Sequence, residues 1–386
     1  MNRKEIISYL DKIILILLTI QISVVSLSIA VSSIAFGTWL SLWLIQFIIN
    51  RKLNYDCALF KEIKIINIFI LLYCLTEILT RFNAVYPEGA FSNIKRLLLF
   101  LIFYVSLIKV IDYKTLSRIL FINVCVISLV SVAELIQYGL KFNEIIQQMP
   151  FSEIRIDYFN YPLTAAEIKM MSLLSVFPLL FVKNKFVIAK KYLLLILLPV
   201  FVSMLLTQSR NVLLATVICL LIFGIISNRK FLIAFIAALI LSAFMLPSTY
   251  TDRAKSIADL NHPSNSSRIS MWKVGIEMFK DHPLTGVADS HILEIYKTYK
   301  QPKEASEGVH LHNNFIMILA TTGIFGFLFF TGIFVSVFLK QIRFYIDQHN
   351  ENYKMLILGS ILVMISFQIA GIFEWSFGDH EVMTVF

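Results

Sequence analysis

Three stretches of the chain carry residues that can do chemistry. In EGVHLHNNFIMILATTGIFG, residues 307–326, His310 and His312 stand two apart, followed by Asn313 and then by Gly323 and Gly326. Histidine is the side chain best placed to take or give a proton near neutral pH. In LLTQSRNVLLATVICLLIFG, Arg210 is the single charge between two apolar runs. In NSSRISMWKVGIEMFKDHPLTG, Arg268 falls in the first turn of an expected helix. An arginine at a helix start adds its charge to that of the free backbone N–H groups, and the two together suit an anion. The histidine suits proton transfer and the arginines suit an anion, and all three are expected on the same side of the membrane.

Each residue also has a structural reading. Asn313 is a good helix cap. Arg210 can snorkel to a membrane surface, and Arg268 can serve as a surface cation beside anionic headgroups. Gly323 and Gly326 can simply allow close helix packing. The His310–x–His312 pair suggests a metal only if a third ligand is found. His380, Asp379 and Glu381 in FEWSFGDHEV are the candidates for it. No metal and no cofactor are expected.

These residues are embedded in an apolar chain. Of 386 residues, 58% are hydrophobic and 15% charged, with a mean hydropathy of +0.77. Apolar runs of roughly 18 residues or more recur, each enough to cross the hydrocarbon layer. Spans are expected near 12–29, 31–50, 63–80, 94–111, 116–138, 164–182, 192–208, 210–227, 231–247, 312–339 and 354–373, with EVMTVF starting a further one. The expected fold is an all-α polytopic membrane protein of about twelve transmembrane helices. Three parts follow: a bundle of nine spans over 1–247, a long loop over 248–311, and C-terminal spans over 312–386. In the loop, Ile269, Trp272, Ile276 and Phe279 recur at helical spacing, with Ser266 or Ser267 as cap and Pro283 as stop. The basic N-terminus reads as an uncleaved first span rather than a signal peptide. The four cysteines have no paired spacing.

Lys and Arg cluster in alternate connections, such as Arg51, Lys52, Lys61 and Lys64, then Lys109, Lys114 and Arg118. That pattern expects a cytoplasmic N-terminus and puts the long loop outside. A site there faces away from cytoplasmic ATP, and no phosphate-binding glycine loop of the Walker type occurs.

The pattern His-Asn, nine residues, Gly-x-x-Gly near the end of a long outer loop resembles the O-antigen ligases of bacterial lipopolysaccharide assembly. LTQSRNVLLA, SSRISMWKVGIEMFKDHPLTG and FEWSFGDHEV are similar to that family's two arginine segments and its final outer loop, and VHLHN resembles the enterobacterial type. The resemblance covers residues 203–381. It implies a GT-C-like, metal-independent, inverting glycosyltransferase of the bacterial inner membrane with a large helical periplasmic loop. Such an enzyme moves O-antigen from undecaprenyl diphosphate to a sugar hydroxyl of lipid A–core. By the same resemblance Arg210 and Arg268 hold the donor diphosphate and His312 is catalytic, with His310 and Asn313 expected to touch substrate. Nucleic acid is not an expected partner. The chain ends where the family's last span would begin.

Rival readings remain. An O-antigen polymerase uses the same donor class, as does a protein-glycosylating oligosaccharyltransferase. A flippase or solute transporter would line a path with charges such as Glu77 and Glu134. It would also show broken helices, and none is evident in the sequence.

Overall fold

The computed structural model describes residues 3–50, 57–110, 112–148, 155–156, 159–182, 188–245, 256, 259–300 and 310–386. Arg51, Lys52, Lys183, Lys185 and, within the 248–311 loop, residues 248–255, 257–258 and 301–309 lie outside the described residues. Among the described residues all regular structure is helical. Two helices, α1 (Arg3–Val24) and α2 (Ile29–Asn50), form a first hairpin, and a short α3 (Cys57–Glu62) leads into α4 (Lys64–Phe82). A 3-10 stretch, Ile94–Leu99, runs into α5 (Phe100–Lys109), then α6 (Tyr113–Gln148), α7 (Pro162–Val176), α8 (Lys190–Leu206), α9 (Arg210–Ile226) and α10 (Arg229–Met245). The long loop carries α11 (Pro263–Asp281) and α12 (Ile292–Tyr299) before α13 (Asn314–Asp347), α14 (Glu351–Gly371) and α15 (His380–Val385).

Every expected span falls on a helix. Among the described residues, seven helices are long and apolar enough to cross a membrane, and α9 is apolar but shorter. So many apolar helices are the pattern of a multi-pass membrane protein. The segment expected to open a twelfth span is the six-residue α15.

Helix α7 lies at the centre, with residues from Thr164 to Val176 nearly all buried. Around it α8, α9 and α14 build the largest apolar cluster, including Met170, Val200, Phe223 and Leu358. Large apolar side chains such as Ile233 and Phe244 face outward, as hydrocarbon solvent permits. Two buried charges inside the bundle are paired with each other, as an apolar surrounding favours. Lys169 lies 2.6 Å from Glu134 Oε2, which also accepts from Ser203 Oγ at 2.6 Å. The acidic residues suspected of lining a path, Glu77 and Glu134, are both committed to buried cations.

One expectation about the helices is overturned. Helix α13 is broken at Gly323, whose φ of 67° and ψ of −167° are not helical. The loop enters the gap: Val287 N–H donates to Ala320 O at 2.9 Å and Ala288 N–H to Thr321 O at 3.0 Å. In return Ile324 N–H donates to Pro283 O at 2.9 Å. The loop thus satisfies backbone groups that the break would strand in an apolar setting. Gly286, also at positive φ, faces Thr321 here, and a Cβ on either glycine would collide with backbone. Gly323 therefore marks a loop–helix interlock rather than helix–helix packing, while Gly326 is buried one turn on and leaves room for the Thr322 side chain.

Candidate active site

The two arginines and His312 are brought to one place. A cleft of about 240 Å³ is lined by Arg155, Tyr161, Gln208, Ser209, Arg210, Ser264, Asn265, Arg268, His312 and Phe373, among others. Its parts come mainly from the starts of four helices, α7, α9, α11 and α13, and the loop after α14. Between α8 and α9 the chain turns through Gln208, at a φ of 53°, so Arg210 opens α9 directly. Its Nη1 donates to Ser256 O and Oγ, each at 2.9 Å, and its Nη2 to Asn265 Oδ1 at 3.2 Å. All of these acceptors are neutral, so the charge of Arg210 is oriented but not cancelled.

Helix α11 starts earlier than expected. His262, not Ser266 or Ser267, caps it through Nδ1, which accepts from Ser264 N–H at 3.3 Å. The buried face is also shifted: Met271, Val274 and Met278 pack with Leu311, Met317 and Ala320. Ile269, Trp272, Ile276 and Phe279 are half-buried beside that face. Helix α11 rests on the first half of α13, and this sets its rotation. Arg268 then points to the cleft, donating to Ser264 Oγ at 2.9 Å with Glu374 Oε2 at 4.0 Å. Burial lowers its pKa from the ordinary arginine value, and nearby Arg155 acts in the same direction.

His312 sits in the turn before α13 at a φ of 47°, a left-handed conformation that costs a non-glycine residue energy. The turn is held from three sides. Asn313 caps α13 by accepting from Ile316 N–H at 2.9 Å, and its amide donates to Ile372 O at 2.8 Å. Trp272 Nε1 donates to His312 O at 3.4 Å. His310 Nδ1 accepts from His312 N–H at 3.3 Å.

Glu374 completes the arrangement. Its two oxygens lie 2.9 and 3.0 Å from His312 Nδ1, and Trp375 N–H donates to it at 3.1 Å. Burial raises its pKa, but hydrogen bonding from His312, the charges of both histidines and the Trp375 N–H together bring it below the ordinary value. An ionised carboxylate only accepts. In the neutral ring, Nδ1 of His312 therefore carries the proton toward Glu374 and Nε2 carries none. His310, by contrast, donates toward Glu374 Oε1 at 3.5 Å through Nε2, and burial lowers its pKa to about 4. It is neutral at neutral pH and does not line the cleft.

His310, His312 and Glu374 offer ligand atoms within 4.8 Å of one another, the minimum protein set for zinc. The third donor is Glu374, not the His380 group. Asp379 instead caps α15 and accepts from Thr164 Oγ1 at 2.6 Å, and His380 Nδ1 lies 3.1 Å from Thr384 Oγ1. Arg268 lies beside Glu374, and the His310 and His312 ring centroids are 4.2 Å apart.

Sequence reasoning missed Glu374, Arg155, Tyr161, Ser264 and Asn265. Glu374 lay in a segment already singled out, but its neighbour His380 drew the attention.

The cleft at the loop end of the helical bundle thus brings three arginines and a carboxylate-bound histidine together. Residues 168–331 match the family model described as O-Antigen ligase. That stretch holds Arg210, Arg268, His312 and Gly323, and over it the chain is similar to the O-antigen ligase family. The family takes in both ligase and polymerase types and implies a glycosyltransferase-like membrane enzyme using lipid-linked polysaccharide. No curated protein matches the chain.

Proposed function

We propose that the protein is an O-antigen ligase on a GT-C-like scaffold of about twelve spans. It transfers a glycan from undecaprenyl diphosphate to a sugar hydroxyl of lipid A–core at the periplasmic face of the inner membrane. The observation that carries this reading is the convergence of Arg210, Arg268 and His312 on one cleft, with Glu374 fixing the histidine.

The acceptor hydroxyl oxygen attacks the anomeric carbon of the donor sugar as the bond from that carbon to the diphosphate oxygen breaks. The bonding pair leaves with the diphosphate, and the hydroxyl proton passes to His312 Nε2. A single displacement inverts the anomeric carbon. Arg210 and Arg268 offer planar forks matched to phosphate oxygens, and Arg155 adds a third positive charge. Such preorganised charge aimed at a leaving group is often the largest catalytic term. Glu374 is a positioning residue that holds the His312 tautomer. The donor is already activated, so a periplasmic site needs no ATP.

A lipopolysaccharide gel from a strain lacking the gene, with and without complementation, tests this. Core-only lipopolysaccharide with polymerised glycan left on its lipid carrier is the expected result. Single-repeat glycans on core would instead assign the chain to the polymerases. Full transfer in excess chelator is expected for the metal-free dyad; loss restored by one added metal would replace it with the three-ligand reading.

A further inference from the structure

Arg210 and Arg268 belong to different helices, yet two consecutive residues hold both. Ser264 Oγ accepts from Arg268 Nη1 at 2.9 Å, and Asn265 Oδ1 accepts from Arg210 Nη2 at 3.2 Å. Asn265 is itself braced: its Nδ2 donates to Ser256 O at 2.9 Å and to Asp259 O at 2.8 Å. Ser264 is pinned through its backbone N–H to His262. Both residues line the cleft. Among the described residues, Arg268 Nε is buried without a hydrogen-bond partner, a donor still to be used.

We infer that the Ser264–Asn265 step is a spacer that sets the separation of the two guanidinium groups and makes the cleft selective for a diphosphate over a monophosphate. This rests on the reading of the cleft as the donor site. One fork suffices for a single phosphoryl group. Two linked phosphoryl groups gain from both forks only when the forks are already set at a matching separation, because ordering two long side chains on binding is costly. Serine and amide oxygens orient a guanidinium without neutralising it, whereas a carboxylate in their place would remove the charge the ligand needs. Ser264 and Asn265 are thus positioning residues, and substrate choice is the property they control.

The test uses the full-length protein in lipid nanodiscs and measures binding of undecaprenyl diphosphate and of undecaprenyl monophosphate. Wild type is expected to favour the diphosphate by about tenfold or more, the scale of one further charge-assisted contact. Ser264→Ala and Asn265→Ala should keep monophosphate affinity within about twofold while the preference falls to about threefold or less. Asn265→Asp should weaken both ligands by setting an anion against Arg210. Thermal unfolding confirms that each variant is folded; if Asn265→Ala is not, Ser264→Ala decides, since it removes one oxygen. A preference unchanged in the folded variants, or equal loss for both ligands, overturns the spacer alone. Failure of wild type to bind either lipid would instead remove the donor-site reading beneath it.

Discussion

Two clusters of arginine at the loop end of the bundle are built in opposite ways. In the first, Arg81 and Arg96 meet Glu77 and Asp289, with contacts of 2.6 to 2.9 Å among them. Two cations face two anions, and Arg81 is 2% exposed. In the second, three arginines line a cleft where the neighbouring carboxylate, Glu374, is already engaged by His312. Among the described residues, no carboxylate is paired with Arg210. The balanced cluster ties the loop to α4 and the chain after it. The unbalanced one keeps positive charge in reserve for a ligand. On the proposed function, charge pairing rather than burial alone separates structural arginines from functional ones.

Substitutions should separate the two regions in the same way. His312→Ala is expected to lower transfer by about 10²–10⁴-fold, the usual contribution of general-base catalysis, with unfolding temperature unchanged. Arg210→Ala should likewise abolish transfer in a protein that still inserts. Arg81→Ala should do the reverse, destabilising by about 3–5 kcal/mol because two buried carboxylates, Glu77 and Asp289, are left to share the single cation Arg96; thermal unfolding and membrane yield would show it. If Arg81→Ala were stable and inactive, or His312→Ala unstable, the contrast would fail.

Glu374→Gln sharpens it from within the cleft. A positioning carboxylate that hydrogen-bonds a catalytic histidine should be worth about tenfold to a hundredfold in rate, with little change in donor binding. Gly323→Ala tests the interlock that carries both regions, since a Cβ there meets Leu284 backbone at a φ of 67°. A loss of about 1–3 kcal/mol in stability is expected, read by unfolding in nanodiscs.

The smallest effect concerns pH. His310 has its folded pKa depressed from 6.5 to about 4, so the unfolded chain binds more protons between those values. Stability is then fully present above the upper value and falls as pH drops through that window. Glu374, also depressed, loses its contribution only below its ordinary value of 4.5. His310→Asn should flatten the upper part of that pH dependence of unfolding temperature.

Much of this was legible before the structure, for physical reasons. The spans announce themselves because hydrocarbon demands long apolar runs. Arg210 and His312 stand out because polar groups are costly beside such runs. Glu374 was hidden because its partner His312 is 62 residues away, and a lone glutamate in a loop has no local pattern. Arg155 belongs to a short connection without periodicity. The rotation of α11 is decided by α13, so Trp272 stands beside the buried face rather than at its centre, and the His262 cap uses a residue type that seldom caps. The break at Gly323 depends on a loop that supplies hydrogen bonds from forty residues earlier in the chain, which composition cannot display.

The central claim is best tested by reconstituted transfer. Purified protein in lipid vesicles would be given an undecaprenyl-diphosphate-linked glycan and lipid A–core, with products resolved on a gel. The account predicts glycan on lipid A–core with wild type and none with His312→Ala or Arg210→Ala, although both variants are folded. Transfer at the wild-type rate by either variant, or glycan growing only on the lipid carrier with wild type, would contradict it.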